Sequence, residues 1–150
     1  MPRLLLFAPC ERVITDEQGN VSLIVLLSAI RIGLNLAEIP QKAVIPMRWD
    51  IITMWWRSPE DSGAKFEQHV ELVSPDEKVL ITNTAKFGLV EADTHRHVAR
   101  IQGFPMPRLA GRCFLRLYVR EDREGIDRGE PVAIYPLTVE VDLQAPKENE

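Results

Sequence analysis

Sulfur is scarce in this chain: its 150 residues include two cysteines, Cys10 and Cys113. Two thiols cannot build the disulfide framework of a small secreted domain, and these two lack the close spacing of a zinc motif. Both read as small core residues, free in a reducing compartment, with a Cys10 to Cys113 disulfide as the alternative for an exported protein. Long hydrophobic runs are missing too. The most apolar stretch, VSLIVLLSAIRIGL, contains an arginine and gives way to glycine and polar residues, short of the roughly 20 residues that cross a bilayer. In the opening MPRLLLFAPC the apolar run spans only Leu4 to Ala8, shorter than the roughly 7 to 15 residues of a signal h-region. Pro9 stands where a cleavage site needs a small residue. The expected location is therefore the cytoplasm, with no membrane partner.

Catalytic signatures are lacking as well. There is no G-x-S-x-G, no glycine-rich phosphate loop and no H-E-x-x-H, and neither cysteine has a histidine close in sequence. Enzyme activity is not the expectation, and no cofactor is expected. Nor is there an excess of positive charge: 18 Lys and Arg stand against 22 Asp and Glu, a formal charge of -4. That balance works against bulk attraction to nucleic acid or to an anionic membrane, while leaving room for a local basic patch.

What is present is a period of two. With 45% hydrophobic and 27% charged residues, the composition is that of an ordinary globular domain with one core. Apolar residues alternate with polar ones, and the breaks are rich in Gly, Pro, Asn and Asp, the pattern of strands and turns. Strands are expected over residues 3–14, 21–32, 47–57, 65–73, 78–90, 112–121 and 131–142. TDEQGN turns the first two into a hairpin, and residues 33–46 form a loop with at most one helical turn. GFPMPRLAG, with two prolines that cannot donate to a central ladder, reads as a crossing loop, and Pro136 marks an edge position or a bulge. Residues 1–142 form the ordered part, and the charged tail 143–150 frays. Nothing calls for a second domain. The fold expected over 1–150 is all-β, a single immunoglobulin-like antiparallel β-sandwich of about seven to nine strands.

The succession of CERVITDEQGNVSLI, VELVSPDEKVL and GFPMPRLAGRCFLRLYV resembles an uncharacterised family of small bacterial β-sandwich proteins of unknown function. The resemblance covers most of the chain through strand and turn signals. It implies a sandwich fold and no activity.

Three surfaces are candidates for function. In EADTHRHVAR, Glu91, Asp93, His95 and His97 alternate and would share one face of an extended chain. His95, His97 and Asp93 are of the right types for zinc or iron. A strand rises about 3.3 Å per residue, so no more than two neighbours could reach one ion, and a further ligand must come from elsewhere, His69 being the third histidine. The competing reading is a solvated polar face, and it is the one expected here, with no bound metal. In the strand at 112–120, Cys113, Leu115, Leu117 and Val119 take the inner parity, while Arg112, Phe114, Arg116, Tyr118 and Arg120 point outward. Arginines interleaved with aromatics can track a phosphate backbone, although arginines on a sheet usually pair with carboxylates such as Glu140. Nucleic acid is not the expected partner. In MRWDIITMWWRS one parity makes core, yet the other also turns apolar at Ile52, Met54 and Trp56, where a one-sided antiparallel sheet should be polar. Either residues 33–46 cover that patch or another chain does.

Together these readings predict a non-catalytic β-sandwich that acts as a protein-protein interaction or assembly module, through a protein partner or a second copy of itself. A metal-dependent or small-molecule-binding protein using His95 and His97 is the alternative. Nucleic-acid binding through residues 112–120 is a second alternative.

Overall fold

Alternation of β-branched and aromatic residues with polar ones lets each segment bury one side and wet the other, which is the condition for a strand in a layered domain. The computed structural model describes residues 1–35, 44–61, 63–90, 92–106 and 111–144. Among them are nine strands and no α-helix: β1 (Arg3–Thr15), β2 (Val21–Leu26), β3 (Ala29–Asn35), β4 (Val44–Trp56), β5 (Lys65–Val73), β6 (Val79–Gly88), β7 (Thr94–Pro105), β8 (Gly111–Glu121) and β9 (Ala133–Gln144). They form two sheets, one of four strands in the order β2, β1, β4, β7 and one of five in the order β3, β9, β8, β5, β6. No helix among the described residues is long and apolar enough to cross a membrane.

The core lies between the sheets. Trp49, Ile51 and Trp55 of β4 meet Phe66, Val70 and Leu72 of β5, with Cys113, Leu115, Leu117 and Val119 of β8 and Leu137 and Val139 of β9 beside them. One polar side chain crosses the gap. Gln68 of β5 is buried, and its Oε1 accepts hydrogen bonds from Thr53 Oγ1 and Trp55 Nε1 of β4, both at 2.8 Å, so a group that would be costly unpaired instead ties the two sheets in register.

Three expectations change. Residues 21–32 are not one strand. β2 ends at Leu26, where the Leu27 amide still donates to the Pro9 carbonyl of the four-stranded sheet at 3.0 Å; the next residue, Ser28, already accepts from the Thr138 amide of the five-stranded sheet at 3.0 Å. The chain thus steps from one layer to the other, and Ala29–Asn35 runs parallel to β9, so the sandwich is not purely antiparallel. GFPMPRLAG is only partly loop: β7 continues through Gly103 and Phe104 to Pro105, which β7 tolerates because it is an edge strand. Residues 107–110 lie outside the described residues. Gly103 adopts φ 84°, and a Cβ there would sit 2.5 Å from Val44 Cγ1, so only glycine fits. Finally, β9 extends to Gln144, into the segment expected to fray, and 145–150 lie outside the described residues. Pro136 pairs with Phe114 of β8, whereas β3 joins β9 only from Thr138 onward, so Pro136 occupies a locally free edge and removes no ladder donor.

Leu117 is fully buried among these residues. Leu117→Ala should destabilise the protein by about 2 to 5 kcal/mol in chemical denaturation, whereas a change below about 0.5 kcal/mol would mean that the inner face of β8 is wrongly assigned.

Candidate functional site

β4 lies between β1 and β7, and while Trp49, Ile51, Thr53 and Trp55 face the core, Asp50, Ile52, Met54 and Trp56 share the outer face. That face is not bare: Ile52 is 0% exposed. The β1–β2 hairpin crosses this face. β1 pairs with β4 only as far as Cys10, and from there to Thr15 it pairs with β2 alone. Beyond Cys10 this arm folds back over the sheet, and two hydrogen bonds fasten it. The Val13 amide donates to Asp50 Oδ2 at 2.8 Å, and Arg96 Nη1 donates at 2.8 Å to the carbonyl of Gly19 in the hairpin turn. Arg96 is the cross-strand neighbour of Met54, so the two fasteners stand on either side of Ile52. Residues 33–46, expected to be a loop covering this face, belong to β3 up to Asn35 and to β4 from Val44, and 36–43 lie outside the described residues. Met54 is half-buried, and only Trp56 of the three is exposed, at 44%, with the Arg3 guanidinium 5.6 Å above its ring.

The arm in turn presents apolar residues to solvent. Ile24, Val25 and Leu26, on the edge strand of the four-stranded sheet, are 41%, 54% and 53% exposed. Val25 has φ 51°, a left-handed conformation that is unfavourable for a β-branched residue.

The histidine segment is placed differently from either reading of it. β7 begins at Thr94, so Asp93 lies before the strand, where it binds Arg57 Nη2 at 2.6 Å; Glu91 lies outside the described residues. His95 and His97 pair with Trp55 and Thr53 and therefore point inward, at the open side of the sandwich, not onto a solvated face. The His95 ring stacks on Phe87 of β6 at 4.7 Å, and His97 Nε2 is buried with no hydrogen-bond partner among the described residues. Burial lowers the pKa of both imidazoles below the ordinary 6.5, and the neighbouring His97 lowers that of His95 further. His69 sits on the outer face of the other sheet, between Thr84 Oγ1 at 2.7 Å and Glu71 Oε1 at 3.1 Å. His95, His97 and Asp93 do not converge, and among the described residues no three His, Cys, Asp or Glu side chains do.

On β8 the outward residues are largely committed within the chain. Arg116 binds Glu77 at 2.9 Å, and Arg120 binds Glu67 at 3.0 Å and the Ile126 carbonyl at 2.8 Å; Tyr118 lies beside the His69 ring. Phe114 is half-buried and Arg112 exposed. Glu140 pairs with Arg31 of β3 instead. Cys10 and Cys113 are buried free thiols, and burial pushes the pKa of the Cys113 thiol up to about 11, which favours the protonated form at neutral pH.

Sequence reasoning overlooked the arm and its fasteners. The one available signal was Asp50, a lone carboxylate inside the apolar stretch RWDIITMWW.

No protein-family model and no curated relative matches the chain. Among solved structures it is similar to the N-terminal domain of PorA, at 8% identity and a TM-score of 0.29 over 91% of this chain and 97% of that one.

The inward histidines predict acid sensitivity. Their folded-state pKa values lie below the unfolded 6.5, so on acidification the unfolded chain takes up protons first; stability is complete above about pH 6.5 and is lost as the pH falls toward the depressed values. The melting temperature should drop between pH 7 and 5, and the drop should shrink in a His95→Phe, His97→Val double variant. Equal drops in the two proteins would show that the imidazoles are solvated.

Proposed function

We propose that this protein is a non-catalytic, immunoglobulin-like β-sandwich that works by protein contact in the cytoplasm, and that the contact includes a second copy of the same chain. The strand order supports the finer fold assignment: β4 pairs with β7 in one sheet, and β5, β8 and β9 stand side by side in the other with β6 added at the edge, the arrangement of variable-type domains. Buried free thiols fit a reducing compartment. The resemblance to small bacterial β-sandwich proteins of unknown function implies a sandwich fold and supplies no activity.

The observation that carries the contact reading is Val25. A β-branched residue in the left-handed region costs about 1 to 3 kcal/mol, and at 54% exposure this one gains little from its own chain in return. It stands between two other exposed apolar residues, Ile24 and Leu26, on β2, which among the described residues pairs with β1 alone. An edge of this kind, with unpaired backbone groups and apolar side chains, is a template for strand pairing. Two copies of β2 placed antiparallel about a twofold axis would bury the same residues on both chains. Of the patch first singled out, Ile52 is buried, Met54 is half-buried and Trp56 is exposed, while the arm adds the exposed apolar residues Ile24, Val25 and Leu26.

Light scattering tests this. The wild type should be dimeric at tens of micromolar, and Leu26→Glu should be a folded monomer because it places an unpaired charge in the contact. Val25→Gly should weaken the dimer while leaving the melting temperature at or above that of the wild type, since glycine relieves the backbone strain. Trp56→Glu serves as a control and should not alter the mass. A wild type that stays monomeric would contradict self-association, and a monomer produced only by Trp56→Glu would return the interface to that residue.

A further inference from the structure

Where the arm folds back over the four-stranded sheet it leaves a groove of about 600 Å³, within the size range of small-ligand sites. Three strands contribute an arginine to it: Arg12 from β1, Arg48 from β4 and Arg100 from β7. Arg100 is the cross-strand neighbour of Asp50, and Arg48 precedes Asp50 on the same outer face, so both guanidinium groups flank the point where the arm is fastened. Elsewhere Arg31 pairs with Glu140, Arg57 with Asp93, Arg116 with Glu77 and Arg120 with Glu67, whereas Arg3, Arg96 and Arg112 are spread singly over other surfaces. Among the described residues, no carboxylate lies within ion-pair distance of Arg12, Arg48 or Arg100, although Asp50 and Glu11 line the same groove. In a chain with a formal charge of -4, three guanidinium groups against two carboxylates give this concavity an excess of positive charge.

The chemistry narrows the anion. A single carboxylate is matched by one forked guanidinium, whereas three such forks arriving from three strands suit the several oxygens of a phosphoryl group. Asp50 already accepts from the Val13 amide through Oδ2, but Glu11 and the other oxygen of Asp50 would repel a bare anion unless the ligand also brings hydrogen-bond donors. Ile24 and Met47 supply an apolar wall for a ring. We infer that this groove binds a small phosphorylated polyol, a sugar phosphate or nucleoside monophosphate, with its phosphoryl group on Arg48 and Arg100, Arg12 closing from the arm, and its hydroxyls on Glu11 and Asp50. Such a ligand bridges arm and sheet and so holds the arm down. This inference goes beyond the contact reading and does not rest on it.

Isothermal titration of the full chain at matched ionic strength tests it with ribose 5-phosphate, adenosine monophosphate, inorganic phosphate and ribose as probes. Ribose 5-phosphate should bind saturably and more tightly than inorganic phosphate, and ribose should not bind. Arg48→Gln and Arg100→Gln should each weaken ribose 5-phosphate by about tenfold or more, with melting temperatures as in the wild type. Glu11→Gln should weaken ribose 5-phosphate while inorganic phosphate binds no worse. Tighter binding of adenosine monophosphate than of ribose 5-phosphate assigns the apolar wall to a base, and equal or weaker binding assigns the site to a sugar phosphate. The inference is overturned if no phosphorylated probe binds saturably, if the arginine variants bind as the wild type does, or if inorganic phosphate binds as tightly as ribose 5-phosphate.

Discussion

A central strand that is apolar on both faces needs a cover on both, and β4 is such a strand. Its inward residues Trp49, Ile51 and Trp55 are met by the five-stranded sheet, as in any two-layer domain. Its outward Ile52 would leave a large aliphatic group in water, at a cost of about 1.5 to 3 kcal/mol relative to burial. The chain meets that demand locally, by bending β1 away from β4 at Cys10 and laying the hairpin arm across the outer face. Because the arm has only a short strand pair to hold it, polar fasteners at Asp50 and Arg96 fix its position on the sheet.

Much else follows from this bend. Once the arm lies over β4, the return strand β2 becomes the edge of the four-stranded sheet, and the chain must then step across to the other layer to build β3 beside β9. The step brings the left-handed backbone of Val25 and the sheet change at Leu27 and Ser28 close together. The arm also does not close completely against the sheet, and the gap it leaves is the groove of Arg12, Arg48 and Arg100. The exposed apolar edge and the basic groove are thus two sides of one arm.

The parts legible in the sequence are those set by local alternation. The inner parity of β8 could be read from Cys113, Leu115, Leu117 and Val119, and β5 falls on the expected residues 65–73, because a half-buried strand imposes a period of two on its own residues. The division of residues 21–32 was not legible, since VSLIVLLSAIRI contains neither glycine nor proline and the bend depends on a positive φ at a valine, which composition does not signal. Alternation correctly placed His95 and His97 on one face, but which face depends on the partner strand, and β7 turns that face toward Phe87. Asp93 dropped out of the set because the strand starts one residue later. Arg116 and Arg120 of β8 do pair with carboxylates, but their partners Glu77 and Glu67 follow or come from β5, a pairing that only the sheet order reveals.

The central claim is that the arm is fastened over Ile52 and is not a loose hairpin. Residue-resolved amide hydrogen exchange at Val13 tests it most directly, because that amide donates to Asp50 across the arm. The account predicts a protected Val13 amide in the wild type, and loss of that protection in Asp50→Ala while the amide of Leu117 in the core stays protected. A Val13 amide that exchanges in the wild type as fast as an unstructured one would contradict it.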